Sequence, residues 1–246
     1  MSEHIARIVL NRPEKRNALN AELVTRISAG LAEAAADPDT RVVLISGEGA
    51  DFCSGADLAE LRAITENGPA ENLASARALG QLFVDIRRHR CPVIAAVRGR
   101  ALAGGCGLAT ACDVVLAAES AQFGYPEVNI GFVPAMVMAL LRRQVPEKRA
   151  FELLALGQVI GAREAAAFGL VNAVFSEATF DDDVATWVNR LARKPPGAVA
   201  MTKSLLYQGD GLSFETAIDL GAHANALART TEECREGVRR FLEGKR

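Results

Sequence analysis

Short, uninterrupted runs of apolar residues recur along this chain, and segments with helical spacing separate them. Val42 to Ile45 and Val93 to Val97 are two such runs. Runs of this kind are typical of parallel strands that are covered on both faces. Ile5 to Leu10 and Val114 to Ala117 also have the pattern of strands. Because strands alternate with helices, the sequence indicates an α/β layered fold.

The segments between these runs predict helices. Asn20 is the expected N-cap of a helix that ends near Ala36, and a second helix is expected over residues 70–88. Residues 99–105 are expected to form a loop, followed by a short helix from Leu108 to Cys112. Beyond Pro196 the strand pattern stops, and the rest of the chain reads as a helical extension. The apolar positions that follow helical spacing in the first helix are Leu23, Val24, Ile27, Leu31, Ala34 and Ala35, and the predicted buried face of the second helix contains Leu79, Leu82, Phe83 and Ile86.

Composition excludes several classes of function. The chain has 246 residues and a net charge of −2, so it lacks the basic excess of a nucleic-acid-binding protein. It contains three histidines and five cysteines, but no CxxC, HxxxH or HExxH spacing, and no metal site is predicted. No apolar run has the length of a membrane span, and the N-terminus lacks the pattern of a secretory signal. We therefore expect a cytoplasmic protein with reduced, buried thiols and no membrane partner.

Two glycine-containing turns have the composition of a site that binds an anionic oxygen. Asp51 to Leu58 carries a strand through a turn into a helix, and Arg100 to Leu108 places Gly104 and Gly105 before another helix. Free N–H groups point out of such turns, and the helix dipole adds positive potential. Two turns of this kind could direct two donors at one oxygen, which is the construction of an oxyanion hole. Taken singly, a Gly-Gly pair before a helix is more often a packing feature.

A third segment, Ala121 to Gly131, contains one carboxylate, that of Glu127, among apolar residues. Burial would raise the pKa of Glu127 and make it a useful proton carrier near neutral pH. The alternative is an exposed glutamate in a first helical turn, which is common directly after proline. On local pattern alone, the exposed alternative is favoured.

Together these segments resemble the enoyl-CoA hydratase/isomerase (crotonase) superfamily over nearly the whole chain. The resemblance implies a spiral of ββα turns over residues 1–195 with an acyl-CoA site, and a helical trimerisation region over 196–246. It also implies a homotrimer or a dimer of trimers, an acyl-CoA substrate, and no cofactor beyond the coenzyme A of that substrate. The residues that carry it are Asn11-Arg12-Pro13, Asn17-Ala18-Leu19-Asn20, Phe52 to Leu58, Cys91 to Val97, Gly104-Gly105-Cys106, Cys112-Asp113 and Ala121-Gln122-Phe123-Gly124.

The same resemblance implies roles for individual residues. The N–H groups of Ala56 and Gly104 would hold the thioester oxygen, and Glu127 would be a catalytic carboxylate. Phe241, Lys245 and Arg246 resemble a tail that reaches the coenzyme A of a neighbouring subunit. The residues expected to contact coenzyme A are Lys15, Arg16, Ser54, Ala56, Asp57, Leu58, Phe241 and Lys245.

One departure from the family pattern bears on the reaction. Family hydratases carry a second glutamate where this chain has Gly107. Since a single carboxylate suits a 1,3-proton shift, we favour isomerisation of a Δ3 to a Δ2 double bond. A 2-enoyl-CoA hydratase with its second acid from elsewhere, or a non-catalytic acyl-CoA binder, remains the alternative. The segments 62–78 and 133–141 are expected to line the acyl pocket.

Overall fold

The computed structural model describes residues 4–244, which form two β-sheets surrounded by helices. The larger sheet is fully parallel, in the order β1-β2-β3-β5-β8, and the smaller one has the order β4-β6-β7. The strands are β1 (Ile5–Leu10), β2 (Val42–Gly47), β3 (Val93–Val97), β4 (Arg100–Leu102), β5 (Val114–Ala118), β6 (Gln122–Gly124), β7 (Val159–Gly161) and β8 (Ala173–Phe175). The predicted α/β class and the four predicted strands are confirmed. The loop expected over 99–105 was wrong, because β4 lies within it.

Helices alternate with the strands along the chain. Two short 3₁₀ turns, Pro13–Lys15 and Pro126–Ile130, lie in the loops after β1 and β6. The helices are α1 (Ala21–Ala36), α2 (Leu58–Glu66), α3 (Pro69–Arg88), α4 (Gly104–Ala111), α5 (Ala135–Leu141), α6 (Glu147–Leu156), α7 (Ala162–Ala167), α8 (Phe180–Ala192), α9 (Pro196–Gln208), α10 (Phe214–Ala228) and α11 (Glu232–Glu243).

The helix expected from Asn20 is confirmed as α1. The Asn20 side chain accepts the N–H of Leu23 at 2.9 Å, as an N-cap does. Of the apolar positions with helical spacing, Ala35 is exposed, because it lies past the stripe of α1 that faces the sheet. The segment 62–78 is not one helix. α2 ends at Glu66, and Pro69, which has no N–H to continue a helical ladder, begins α3.

The uninterrupted apolar runs are explained by two separate cores, one on each face of the larger sheet. Val43 and Ile45 of β2 face a core shared with α1, α3 and α4. Val42 and Leu44 face the opposite core, which α8 covers. Since successive side chains of a strand point to opposite faces, a strand between two cores must be apolar at every position.

The C-terminal helices bury little in the single chain. Lys203 is the one buried residue described in α9 to α11, and its ammonium lies 2.7 Å from the Asp113 carboxylate. Phe214 and Ile218 of α10 are 76% and 60% exposed. From residue 4 to residue 244, no helix combines the length and the apolar character needed to cross a membrane. Within the same range, no three His, Cys, Asp or Glu side chains cluster as metal ligands would.

The five cysteines are free thiols. Cys53, Cys91, Cys106 and Cys112 are buried, as predicted, and Cys234 is half-buried. Burial raises the pKa of Cys53 to about 12 and that of Cys106 to about 11. These thiols therefore stay protonated near neutral pH.

Candidate active site

The turn that follows β2 is fixed by backbone hydrogen bonds to Leu19. The N–H of Leu19 donates to the Gly55 carbonyl at 2.7 Å, and the N–H of Asp57 donates to the Leu19 carbonyl at 2.9 Å. In this parallel bridge the residue between the two bonded groups, Ala56, turns its own N–H away from Leu19. Among residues 4–244, no acceptor pairs with the Ala56 N–H, and it remains available to a ligand.

A second free donor lies at the start of α4. Gly104 is the first residue of this helix, so its N–H has no intrahelical partner. Ala103, the residue before it, adopts φ +49° and ψ −126°, which is a strained backbone for a residue with a side chain. The N–H of Ala103 donates to the Gly124 carbonyl at 2.8 Å and holds this conformation. The strained ψ of Ala103 sets the direction in which the Gly104 N–H points.

The two turns touch each other. Cys53 donates its N–H to the Arg100 carbonyl at 2.9 Å and accepts the N–H of Leu102 at 3.0 Å. Gly55 has φ +100°, and a Cβ there would lie 3.0 Å from the Ala103 Cβ. A Cβ at Gly105 would lie 2.3 Å from the Cys53 carbonyl oxygen. Glycine at both positions therefore lets the backbones of the two turns meet, and their free N–H groups lie on adjoining loops.

Three polar side chains that received no role in the sequence analysis support this arrangement. Asn17 is completely buried, and its side-chain amide donates to the carbonyls of Glu48 and Asp51 at 2.9 and 2.7 Å. The buried Asp51 carboxylate accepts both the backbone N–H and the Nε–H of Arg100 at 2.9 Å. These bonds attach the loop after β2 to the segment that follows β1 and to β4. The sequence signal for Asn17 was its place in the Asn17-Ala18-Leu19-Asn20 motif.

Glu127 lies in the 3₁₀ turn after β6, and its side chain is half-buried. Its Oε2 is inaccessible to solvent and has no hydrogen-bond partner among the described residues. Burial raises the pKa of the Glu127 carboxyl above that of an ordinary glutamate. The exposed first-turn glutamate favoured by the local pattern was therefore wrong. A buried polar atom without a partner is costly, and such atoms concentrate at catalytic and ligand-binding sites.

The Glu127 segment is joined to α4. Tyr125 is buried, and its hydroxyl hydrogen-bonds to Thr110 Oγ1 at 2.7 Å. Thr110 in turn donates to the Cys106 carbonyl at 2.7 Å. The charge of Glu127 adds to the effect of burial in raising the pKa values of both Cys106 and Tyr125. Glu127 is therefore within electrostatic reach of the helix that begins at the free Gly104 N–H.

Gly107 is buried in α4 with no space for a side chain. A Cβ at this position would lie 2.4 Å from Val137 Cγ1 and 3.0 Å from Phe83 Cζ. Real Cβ atoms essentially never lie within 3.0 Å of another heavy atom, so even an alanine would require the Val137 side chain or α5 to shift. The position at which the resemblance implies a second carboxylate in hydratases is thus filled by neighbouring apolar side chains.

The residues expected to contact coenzyme A have different surroundings. Lys15 and Arg16 are exposed, and the Arg16 carbonyl accepts the N–H of Ser54 at 3.0 Å, which places them beside the Ala56 turn. Leu58 is 83% exposed at the start of α2. The Asp57 carboxylate instead accepts the Ala59 N–H and pairs with Arg12, and these contacts lower its pKa.

The C-terminal residues expected at the coenzyme A site are only partly described. Phe241 lies on α11, with most of its side chain exposed. α11 is attached to the start of α9, where the Glu233 carboxylate accepts the N–H groups of Gly197 and Ala198. Lys245 and Arg246 lie outside the described residues.

Comparison with known proteins defines the class. The solved structure of an enoyl-CoA hydratase from Mycobacterium smegmatis superposes with a TM-score of 0.95 at 32% identity, over 99% of this chain and 94% of that one. The fold is therefore the crotonase fold. A Thermus thermophilus protein provisionally named an enoyl-CoA hydratase is 41% identical over 240 residues, covering 98% of this chain and 95% of the relative. The mevalonyl-coenzyme A hydratase of Beauveria bassiana is 35% identical, covering 99% and 90%.

The family is established over the full length of the chain. The sequence model of the family described as enoyl-CoA hydratase/isomerase matches residues 1–246. The chain belongs to the enoyl-CoA hydratase/isomerase family and is an enzyme of that family.

Proposed function

We propose that this enzyme isomerises a 3-enoyl-CoA thioester to the 2-enoyl isomer through a thioester enolate. The N–H groups of Ala56 and Gly104 bind the thioester oxygen. The Glu127 carboxylate removes a proton from C2, and the electron pair of that C–H bond moves toward the thioester oxygen. The same carboxyl then returns the proton to C4, so the double bond moves from C3–C4 to C2–C3. The reaction consumes no water and needs no group beyond the coenzyme A of the substrate.

One observation carries the preference for isomerisation, namely that Glu127 is an unpartnered, half-buried carboxyl while Gly107 is closed to a side chain. A raised pKa suits a group that must accept a proton and then return it near neutral pH. Addition of water needs a base for the water and an acid for C2, and one carboxyl cannot be in both states at once. A proton shift needs the carboxyl first ionised, to take the proton, and then protonated, to return it.

The second candidate is hydration of a 2-enoyl-CoA, and the names of the relatives favour it. The Mycobacterium smegmatis structure and the Beauveria bassiana relative are both named hydratases. In this reaction Glu127 would act with a second acid from elsewhere in the chain or with an ordered water. Relatives with such names share the fold, whereas the reaction depends on the residues at the site.

The two reactions are separated by a panel of 2-enoyl- and 3-enoyl-CoA substrates of several lengths, with products identified by mass and double-bond position. We expect 3-enoyl substrates to isomerise and 2-enoyl substrates to gain water slowly. Glu127→Gln keeps the shape but removes the base, so isomerisation should fall by roughly 10²–10⁴. Rapid wild-type hydration of every 2-enoyl substrate without isomerisation would overturn the proposal.

A matched control exists within the chain. Glu147 also follows a proline and lies in a first helical turn, but it is exposed. Glu147→Gln should leave turnover unchanged. Equal activity of wild type and Glu127→Gln would refute the catalytic assignment of Glu127. Absence of turnover with every substrate of the panel would favour the non-catalytic acyl-CoA binder.

We further propose that coenzyme A lies along the surface beside the Ala56 turn. Lys15 and Arg16 would meet its phosphates, Ser54, Ala56 and Asp57 would border it, and Leu58 would meet its apolar part, while Phe241 and Lys245 would approach from the C-terminal region. Lys15→Ala and Arg16→Ala should raise KM with little change in kcat, because they weaken binding of the substrate and of the transition state equally. Lys148→Ala, which alters an exposed lysine of α6, is the control.

The acyl chain is proposed to lie against the segments 62–78 and 133–141, which include the second half of α2, the first half of α3 and α5. α2 contains no buried residue, and Leu73, Val133 and Met138 expose large apolar side chains. Apolar surface left open on an enzyme commonly marks a ligand site or an interface. The acyl length at which turnover begins to fall, measured with the same panel, would show how long a chain this surface accepts.

A further inference from the structure

One face of α4 carries two glycines and is covered by other helices. Gly104 and Gly107 are three residues apart, so they share a face of this helix. A Cβ at Gly104 would lie 3.5 Å from Leu79 Cδ2 of α3, and one at Gly107 would lie 2.4 Å from Val137 Cγ1 of α5. The face therefore runs from the free N–H of Gly104 into an apolar contact between three helices.

Phe83 and Val137 close this contact at Gly107. Each is only 3% exposed, so neither can swing into solvent to make room. α3 and α5 also meet directly, because a Cβ at Gly80 would lie 3.3 Å from Met136 Sδ. The two side chains are held by the helices that carry them, and the space beside Gly107 is occupied in the folded protein.

We propose that Phe83 and Val137 determine which reaction the site performs, by filling the place at position 107 from which a second carboxylate would act. This inference rests on the proposed single-carboxylate chemistry and adds the residues that enforce it. Phe83 and Val137 are specificity-determining residues, since they touch neither the thioester oxygen nor the proton that moves.

The chemistry of hydration shows why this place matters. A base takes one proton from water, the water oxygen bonds to C3, and the electron pair of the C2–C3 double bond moves toward the thioester oxygen. An acid then supplies a proton to C2, and the enolate returns to a thioester. A carboxylate at position 107 would supply the base while Glu127 supplies the acid. With two apolar side chains there instead, Glu127 is left to move a single proton.

The packing is tested first, through melting temperatures. Replacing glycine by alanine inside a helix normally stabilises it. In the wild-type background Gly107→Ala should nevertheless lower Tm by at least about 4 °C, because its Cβ collides with Val137. In a Val137→Ala background the same change should be neutral or stabilising. A Gly107→Ala protein that melts at or above the wild-type temperature would overturn the proposal without any assay of activity.

The reaction is tested in variants whose smaller side chains make space at both contacts with Gly107. Phe83→Leu removes the ring atoms nearest Gly107, and Val137→Ala removes both γ-methyl groups. Adding Gly107→Glu to this pair should raise hydration of a short 2-enoyl-CoA by about 10² or more over the same protein carrying Gly107→Gln, which has the same shape without a base. The Phe83→Leu/Val137→Ala double variant is the reference without a carboxylate.

Three outcomes of this comparison count. A higher hydration rate with Glu than with Gln supports the inference. Equal hydration rates in the folded triple variants with Glu and with Gln at position 107 refute it. The inference is also refuted if Gly107→Glu alone hydrates as fast as the triple variant, because Phe83 and Val137 would then not exclude a carboxylate from this position. Failure of the proposed function is seen separately, as a wild-type enzyme that does not isomerise 3-enoyl substrates.

Discussion

Arg12 and Asp57 form an ion pair directly behind the free Ala56 N–H, with 2.7 Å between Nη2 and Oδ2. Arg12 also donates to the Ala18 carbonyl at 2.6 Å, and the other carboxylate oxygen of Asp57 caps α2 by accepting the Ala59 N–H at 2.9 Å. Because Asp57 follows Ala56 in the chain, this pair restrains the peptide that presents the donor. Arg12 and Asp57 are thus positioning residues for the proposed oxyanion hole.

Two substitutions at Asp57 separate the ion pair from the cap. Asp57→Asn keeps an oxygen that can cap α2 but removes the charge, whereas Asp57→Ala removes both. We expect both to lower kcat more than they raise KM. Only Asp57→Ala should also lose the full stability of a helix cap, about 1 kcal/mol. Steady-state kinetics and thermal unfolding measure the two effects, with Asp39→Asn as an exposed control.

The pH dependence of this pair has a defined sign. The Ala59 N–H and Arg12 hold the pKa of Asp57 below its ordinary value. Its contribution to stability is therefore present above the ordinary aspartate pKa and is lost as the pH falls through the lowered one. The stability difference between wild type and Asp57→Asn should shrink in acid. A difference that stays constant down to the acid transition would contradict the ion pair.

Much of the larger sheet could be predicted from the sequence, because its signals are local. Val42 to Ile45 of β2 and all of β3 are uninterrupted apolar runs, and Asn20 marks the start of α1. β4, β6 and β7 have three residues each, which is too short for a period to show. They exist because Ala101 meets Phe123 and Phe123 meets Ile160 across the smaller sheet, and such pairings depend on distant parts of the chain.

The candidate site could also be predicted from the sequence only in part. The resemblance to a known family brought Ala56, Gly104 and Glu127 forward as candidates. Local pattern alone favoured an exposed Glu127, because the burial of its carboxyl comes from tertiary packing. The roles of Asn17 and Asp51 could not be predicted, since their partners are backbone groups and an arginine far along the chain. The filling of the Gly107 position by Phe83 and Val137 likewise required the structure.

Burial of Glu127 predicts the acid limb of the pH–rate profile. Its pKa is raised by desolvation, and the ionised form is the base, so kcat/KM should rise with pH through a value above that of an ordinary glutamate. A rate profile flat from pH 4 to pH 8 would show that Glu127 does not control turnover.

The same burial predicts a gain in stability when the charge is removed. A carboxyl with a raised pKa in the folded state binds more protons there than in the unfolded chain, so its ionisation lowers stability as the pH rises through the raised value. Glu127→Gln should therefore melt a few degrees above wild type at neutral pH, and the difference should narrow in acid. This is the usual exchange of activity for stability at a functional site. Unfolding of both proteins at several pH values measures it.

The strained backbone of Ala103 predicts opposite changes in stability and activity. Glycine accepts φ +49° without a steric penalty, so Ala103→Gly should stabilise the fold by about 1 kcal/mol. It should also reduce kcat, because the direction of the Gly104 N–H is no longer imposed by the strained peptide. Ala103→Val, with a β-branched side chain at positive φ, should lose both stability and activity. A glycine variant with higher activity would show that this strain does not organise the site.

The exposed apolar surface of the C-terminal helices predicts self-association as a trimer or a hexamer. Phe214 and Ile218 are one helical turn apart on α10, so they form a continuous apolar face. Val238 and Leu242 present a similar pair on α11. Burying side chains of this size is worth roughly 1.5–3 kcal/mol each, which makes a second copy of the chain the natural cover.

Light scattering at micromolar concentration should give three or six times the mass of one chain. Ile218→Glu places a charge in the centre of the α10 face, so it should shift the protein toward monomer and lower its melting temperature. Thr186→Glu adds the same charge to an exposed position of α8, which the C-terminal face does not include, and should leave the mass unchanged. A wild-type protein that is monomeric at these concentrations, or an Ile218→Glu protein that assembles as wild type does, would show that α10 does not form the interface.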